Sequence, residues 1–230
     1  MRTAAVITLD LLRRTIESTL LGATATEAAV EALCAEAVER GFHGVCVAPC
    51  RVARAAAALA GTPVRVVGVA GFPLGSQTTR TKIAEVAELV ALGAAEVDLV
   101  MNVGWFLDGR ISPVSQELRE ARAAAGNAVF KVILETAALG PKRVRAAAAL
   151  ALGAGADFLK TSTGYGPAGA TIPDVRALKQ VVGSRCGVKA SAGIRSFTQA
   201  RDLIAAGADR IGTSSAAVIW REAQLALGEG

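Results

Sequence analysis

One phrase recurs along the chain, and it constrains the fold more than any other feature. The segments 91–100, 153–160 and 205–213 each pass through Gly-Ala and one or more polar residues into an apolar run, and alanine-rich sequence precedes each. Glycine is favoured just past a helix end because it tolerates the left-handed backbone there. An apolar run two or three residues later is typical of a buried strand. The phrase therefore predicts a repeated helix-to-strand unit.

Eight strands are predicted when the rest of the chain is interpreted with this pattern. Helix-length segments separate them, although the segment after the second strand is short. Most are continuous apolar runs, as expected of parallel strands with both faces buried. The predicted strands are 14–19, 44–48, 65–71, 96–102, 130–136, 157–161, 187–191 and 210–214.

Eight strand–helix units in 230 residues indicate an α/β fold, a single (β/α)8 TIM barrel, which typically needs about 250 residues. The alternative is a doubly wound open sheet, but no G-x-G-x-x-G follows the first strand to support it. No linker or low-complexity segment divides the chain. Residues 1–230 are therefore predicted to form one barrel domain.

Capping residues mark the predicted starts of three helices. Thr24 with Glu27 and Ser196 with Gln199 fit the capping-box spacing, in which each side chain satisfies a free backbone N–H at a helix start. Thr171 is a third predicted start, since a proline follows within the first turn.

The charge and cysteine content narrow the function classes. The net charge is +5, but the basic residues are scattered over helical segments with no basic block, so we expect no nucleic-acid partner. A mildly positive field would instead attract an anionic metabolite. No leader-like segment and no membrane-length apolar stretch is apparent, so we expect a cytoplasmic protein with reduced thiols and no membrane contact. His43, Cys46 and Cys50 lie close together, but their spacing fits no structural zinc pattern, and no metal is expected.

Charged residues on the predicted strands are the candidate catalytic groups, because a TIM barrel places its active site at the carboxyl ends of its strands. Lys160, Lys189 and Asp98 lie on strands six, seven and four. A barrel interior admits charges only at a cost, so three on nearby strands indicate a function. Glu17 and Thr19 on strand one are possible supporting residues.

A lysine pair suggests a specific chemistry. A neighbouring cation disfavours protonation of an amine, and a free amine can attack a carbonyl to form a Schiff base. The resulting iminium permits cleavage of the adjacent carbon–carbon bond, and a nearby aspartate can transfer the protons. This is class I aldolase chemistry, and it needs no cofactor.

Glycine-containing loops after strands six, seven and eight predict a phosphate site. They read TGYGPAG, SAGIR and GTSS. Glycine lets a backbone approach a ligand closely, and the last two loops of a TIM barrel commonly bind phosphate at a helix N-terminus.

The segments FLKTSTGYGPAGAT, VKASAGIRSF, GADRIGTSS, VAGFPLGSQTTRTK and AAEVDLVMNVG resemble the signature segments of the deoxyribose-phosphate aldolase family, in the same order, from about Ile16 to Ser215. The resemblance implies a metal-free TIM barrel that reversibly cleaves 2-deoxy-D-ribose 5-phosphate into D-glyceraldehyde 3-phosphate and acetaldehyde. It also implies a homo-oligomer, either a dimer or a tetramer. Lys160 would form the Schiff base, Lys189 would favour its neutral form and Asp98 would relay protons. The implied phosphate-binding residues are Gly164, Gly193, Ile194, Arg195, Gly212, Ser214 and Ser215.

The chain departs from the family pattern at four positions. This chain has Glu17 where the family has an aspartate and Ser18 where it has a histidine. It has Ala48 where the family often has an asparagine and Ala192 where it has a glycine. Two alternatives stay open: a class I aldolase for another phosphosugar, and a weakly active phosphosugar-binding barrel. The sequence assigns no place to Trp105.

Overall fold

The computed structural model describes residues 7–228, so the ends of the predicted 1–230 domain lie outside the described residues. Within this range eight parallel strands close into a barrel in sequence order, and β1 pairs with β8. The TIM-barrel prediction is thereby confirmed. The strands are β1 (Ile16–Leu20), β2 (Gly44–Val47), β3 (Arg65–Ala70), β4 (Glu96–Val100), β5 (Val129–Ile133), β6 (Phe158–Lys160), β7 (Gly187–Ser191) and β8 (Arg210–Thr213).

At least one helix follows each strand, and one further helix precedes β1. A short 3₁₀ turn, Pro49–Arg51, precedes the third helix. The helices are α1 (Leu9–Thr15), α2 (Glu27–Arg40), α3 (Val52–Ala58), α4 (Thr79–Ala91), α5 (Val103–Leu107), α6 (Ile111–Ala125), α7 (Thr136–Gly153), α8 (Ile172–Val182), α9 (Phe197–Ala205) and α10 (Ala216–Leu227). None of the described helices is both long enough and apolar enough to cross a membrane.

The predicted helix starts are correct at two of three positions. Ser196 forms a complete capping box with Gln199, and the Thr171 side chain accepts the Asp174 N–H. The Thr24 prediction is wrong: α2 is capped by Thr26, whose side chain accepts from Ala29 N–H. Thr24 lies instead in a turn between β1 and α2.

The observed strand boundaries differ from the predicted ones by up to three residues. The first strand begins at Ile16 rather than residue 14, because Thr15 ends α1. The fifth ends at Ile133 rather than residue 136, and Glu135 there adopts a left-handed backbone, φ 54°, that ends the extended run. The end of β5 leads directly into a loop at the barrel mouth, so this second difference lies near the candidate site, whereas the start of β1 lies at the opposite end of the barrel.

Side chains alternate between the barrel interior and the helix layer, and the two environments differ. Outward residues such as Val97 and Leu99 join the large apolar core beneath the helices. Inward residues of β2 and β3 form a small separate apolar cluster of Cys46, Val67 and Val69. The remaining interior is charged, since buried lysines and carboxylates project from β1 and β4–β7. Parallel pairing therefore gathers charges that lie far apart in sequence.

Candidate active site

Asp98 is the centre of the charged group inside the barrel. Its Oδ2 atom accepts hydrogen bonds from Lys160 Nζ at 2.8 Å and from Lys189 Nζ at 2.6 Å. The three residues are almost completely buried. Lys160 and Lys189 are register partners on neighbouring strands, which explains why both amines reach one oxygen. The structure thus brings together the three residues to which the sequence analysis assigned catalytic roles.

Glu17 completes this group from β1. Its carboxylate is buried and accepts a hydrogen bond from Lys189 Nζ. The additional methylene compared with an aspartate therefore does not prevent the pairing. Thr19, two residues further along β1, lies at the wall of the cavity above Lys160.

A third lysine, Lys131 on β5, was missed by the sequence analysis. Its Nζ atom donates to Asp98 Oδ1 at 2.9 Å and lies 2.5 Å from Glu96 Oε2. The side chain is completely buried. Strand alternation could have identified it, because Phe130 and Val132 on either side pack outward into the core and leave Lys131 directed inward.

Opposite charges determine the protonation of these groups. Burial alone would raise the pKa of Asp98, but the ammonium groups of Lys131, Lys160 and Lys189 outweigh it and hold that pKa well below its usual range. Burial would lower the pKa of Lys189, but Asp98 and Glu17 raise it above its usual value. In the unliganded site Lys189 is therefore held as a cation beside Lys160, and Asp98 is held as an anion between them.

The network continues toward the opposite end of the barrel. Burial would raise the pKa of Glu96, but hydrogen bonding from His43 and the charge of Lys131 lower it to about 2. His43 Nε2 lies 2.8 Å from Glu96 Oε1. Among residues 7–228, Glu17, His43 and Glu96 are the group with the mutual spacing of metal ligands. The Lys131 ammonium contacts both carboxylates, so a cation already neutralises them.

The cysteines of the metal pattern considered for His43 do not join it in the structure. Cys46 belongs to the apolar cluster inside the barrel, and burial raises the pKa of its thiol. Cys50 is exposed in the 3₁₀ turn after β2. The three residues thus point to different environments.

A cavity of about 340 Å³ opens above Lys160 at the carboxyl ends of the strands. Loops from β7 and β8 form one wall, with backbone and side chains suited to an anion. Ser215 is not part of this lining, although its N–H donates to Thr213 Oγ1 and it precedes α10. The predicted phosphate-binding residues that line the cavity are Gly164, Gly193, Ile194, Arg195, Gly212 and Ser214.

Tyr165 also lines the cavity, and sequence analysis gave it no role. From the loop after β6 its ring packs edge-on against Phe72, with ring centroids 5.5 Å apart. Its hydroxyl donates to the Leu21 carbonyl at 3.4 Å. Tyr165 thus connects three loops across the barrel mouth, and only the assembled barrel brings these loops together.

Three further positions that the sequence analysis singled out lie outside the group of catalytic side chains. Ser18 is buried on β1, and Ala48 precedes the 3₁₀ turn after β2. Trp105 lies on α5, partly buried against the helix-layer core, with the Arg110 guanidinium 4.5 Å from its ring centroid. Trp105 therefore stabilises the outer layer rather than the cavity wall.

Ala192 occupies a position that favours glycine. Its backbone adopts φ 73°, a left-handed value, within the cavity wall. A side chain with a Cβ atom costs about 1–2 kcal/mol in this conformation. The family glycine that Ala192 replaces therefore has a conformational reason.

Replacing Ala192 with glycine is expected to stabilise the protein by about 1 kcal/mol, because relief of the left-handed strain exceeds the added backbone entropy of the unfolded chain. Urea unfolding followed by circular dichroism measures the change. Ala149→Gly, on the exposed face of α7, is the matched control and should lose about 1 kcal/mol. A loss of stability in Ala192→Gly would contradict the strain argument.

Comparison with known proteins agrees with this geometry. Residues 15–221 match the DeoC/LacD family of aldolases. A deoxyribose-phosphate aldolase from Caldanaerobacter subterraneus subsp. tengcongensis is 45% identical over 90% of this chain and 91% of its own. One from a Thermotoga species is 48% identical over 88% of this chain and 82% of its own.

A solved structure extends the comparison to three dimensions. The tetrameric deoxyribose phosphate aldolase from Aeropyrum pernix superimposes with a TM-score of 0.84 at 35% identity, covering 93% of this chain and 90% of that one. The residues that match the family, 15–221, include every strand from β1 to β8. The chain therefore belongs to the DeoC/LacD family of aldolases, as the sequence motifs predicted.

Proposed function

We propose that this aldolase reversibly cleaves 2-deoxy-D-ribose 5-phosphate into D-glyceraldehyde 3-phosphate and acetaldehyde through a Schiff base on Lys160. One observation supports the proposal above others. The Lys160 amine lies at the base of the cavity, 2.8 Å from an aspartate that a second and a third lysine also contact. The named substrate of the relatives fits this arrangement.

The first half of the reaction forms the iminium. The neutral Lys160 amine attacks the C1 aldehyde carbon of the open-chain sugar, and the oxygen takes up a proton to give a carbinolamine. Loss of that oxygen as water leaves the C1 iminium. Asp98 is within hydrogen-bond distance of the amine and can accept and return the protons, while Lys189 and Lys131 keep it ionised between transfers.

The second half breaks the carbon–carbon bond. A base removes the C3 hydroxyl proton, the C2–C3 electron pair moves toward the iminium nitrogen, and D-glyceraldehyde 3-phosphate leaves. The enamine is then protonated at C2, which gives the iminium of acetaldehyde. Water adds to C1 of this iminium, and its hydrolysis releases acetaldehyde and regenerates the Lys160 amine. The phosphate would lie against Gly193, Arg195 and Ser214, whose binding energy holds C1 at Lys160.

Deoxyribose without its phosphate is expected to be cleaved with a catalytic efficiency lower by about 100-fold or more, because remote binding energy is used at the reacting carbon. The measurement is kcat/KM for the two sugars, with acetaldehyde and D-glyceraldehyde 3-phosphate identified as products. Equal efficiencies would refute the phosphate assignment. Absence of both products would refute the proposed reaction itself.

We also propose a role in the degradation of deoxyribose phosphate in the cytoplasm, by a homo-oligomer. The tetrameric state of the Aeropyrum pernix relative supports assembly. The four cysteines, all free thiols in the structure, fit a reducing compartment. Light scattering on the purified protein measures the number of subunits.

A further inference from the structure

Glu135 combines two costly features at the mouth of the barrel. It follows β5 with a left-handed backbone, φ 54° and ψ 61°, a conformation that costs about 1–2 kcal/mol for a residue with a Cβ atom. Its carboxylate is also buried, with 7% of the residue exposed. Glycine would remove both costs if the position served only the turn, so the side chain has its own use.

The carboxylate binds the loop that follows the Schiff-base lysine. Glu135 Oε2 accepts the Thr163 hydroxyl at 2.6 Å and the Thr163 N–H at 3.2 Å. The Thr163 hydroxyl oxygen in turn accepts the Tyr165 N–H at 3.1 Å. Two charge-assisted bonds and one further bond thus fix three consecutive residues, Thr163 to Tyr165.

The loop is also closely packed on this carboxylate. A Cβ atom placed on Gly166 would lie 2.6 Å from the Glu135 carboxylate carbon. Within residues 7–228, Glu135 Oε1 is buried without a hydrogen-bond partner. Burying a carboxylate oxygen without a hydrogen-bond partner costs free energy. The contacts of the other oxygen therefore explain why a glutamate occupies this position.

The anchored loop contributes consecutive residues to the lining of the substrate cavity. Gly164, which lines the anion-binding side, has φ 92°, a value that glycine alone adopts readily. Tyr165 crosses the mouth toward Phe72 and the Leu21 carbonyl. Both placements depend on the backbone of residues 163–166, and Glu135 contacts that backbone directly.

We propose that Glu135 is a positioning residue for the aldol reaction. It acts through Thr163 to hold the loop 163–166 so that Gly164 faces the substrate phosphate and Tyr165 closes the mouth. This inference rests on the proposed function. It adds a residue outside the lysine–aspartate group, with an effect on phosphate recognition rather than on Schiff-base formation.

The test compares Glu135→Gly with Glu135→Gln. Glycine relieves the backbone strain and removes the anchor, whereas glutamine retains an acceptor oxygen of the same reach. The readout is the ratio of kcat/KM for deoxyribose 5-phosphate to kcat/KM for deoxyribose. We expect Glu135→Gly to stay folded. Its ratio should be about tenfold lower than that of the parent, mainly because KM for the phosphorylated sugar increases. Glu135→Gln should retain most of it.

A second variant keeps the test valid if Glu135→Gly does not fold. Thr163→Val removes the hydroxyl from the opposite side of the contact and leaves Glu135 unchanged. It should lower the same ratio in the same direction. A folded Glu135→Gly or Thr163→Val with a ratio within twofold of the parent would overturn the proposal, as would a loss in Glu135→Gln equal to that in Glu135→Gly.

Borohydride trapping of acetaldehyde on Lys160 tests the proposed aldolase reaction separately from the proposed role of Glu135. We expect every variant to trap at the parental rate, because the anchor acts on the phosphate end. If the parent protein neither traps acetaldehyde nor cleaves the phosphorylated sugar, the proposed function fails. If the parent does both and the ratio does not respond, only the role of Glu135 fails.

Discussion

Replacing Lys160 with leucine is expected to abolish borohydride trapping of acetaldehyde and to lower aldol cleavage by about 10⁴-fold or more, since the covalent route loses its nucleophile. The amine of Lys160 is buried at the base of the cavity, so no exposed lysine can replace it. Mass spectrometry of the reduced adduct identifies the modified residue. Lys142→Leu, on the exposed surface of α7, is the control and should trap like the parent.

Lys189→Leu distinguishes the roles of the two lysines. Lys189 stays charged because Asp98 and Glu17 raise its pKa against the effect of burial. A fixed cation beside an amine favours the neutral form, so its removal should leave trapping on Lys160 possible but move its pH profile upward. An unchanged profile would contradict the two-lysine account. An adduct on Lys189 in the Lys160→Leu variant would show that the roles are reversed.

Replacing Lys131 with methionine is expected to lower the free energy of unfolding by about 3–5 kcal/mol at pH 7.5, because it removes one cation from a buried group of charges and leaves one negative charge uncompensated. Lys131 lies within hydrogen-bond distance of Asp98 Oδ1 and Glu96 Oε2, and all three side chains are buried. Urea unfolding measures the loss. Lys179→Met breaks a half-exposed pair with Asp209 and should cost less than about 1 kcal/mol.

The sign of the pH dependence follows from the pKa values of the two carboxylates. In the parent both lie below their ordinary values, so the stability they contribute is present above about pH 4 and lost as pH falls through the folded pKa. Without Lys131 both pKa values rise, so the variant gains less stability than the parent as the pH increases from 4. The difference between variant and parent should therefore be largest near neutral pH and shrink toward pH 4. A constant difference across this range would contradict the ion-pair explanation.

Glu96→Gln in the Lys131→Met background is the rescue experiment. The amide replaces a buried charge that would lack its partner, so part of the lost stability should return. If the double variant is less stable than Lys131→Met by the full cost of a second independent substitution, Lys131 and Glu96 do not interact energetically.

The sequence analysis predicted the fold because the information is local. Three signals repeat along the chain: glycines that end helices, apolar strands and alanine-rich helices. Each signal lies within about ten residues. The count of eight units then left few architectures. The error at Thr24 has the same origin: two threonines lie two residues apart, and local spacing could not decide that Thr26 caps the helix.

The candidate site was predicted in part. Lys160, Lys189 and Asp98 were identified by their charge on predicted buried strands, and the family resemblance implied their roles. Lys131 was overlooked because its strand was interpreted as one continuous apolar segment, and the alternation of side chains within it was not considered. Glu135 and Tyr165 lay in predicted strand-end or loop sequence, where spacing carries little information.

The sequence by itself thus determined the repeated strand–helix units, the charged strand positions and the glycine loops, since these depend on residue type and local spacing. The tertiary structure alone decided which charges meet. Closing the barrel brings Asp98 to three lysines from three other strands, and it brings Tyr165 to Leu21, 144 positions away in the chain. The physical reason is that strand register and barrel closure are cooperative properties of all eight strands, whereas the position of one side chain in the sequence fixes neither.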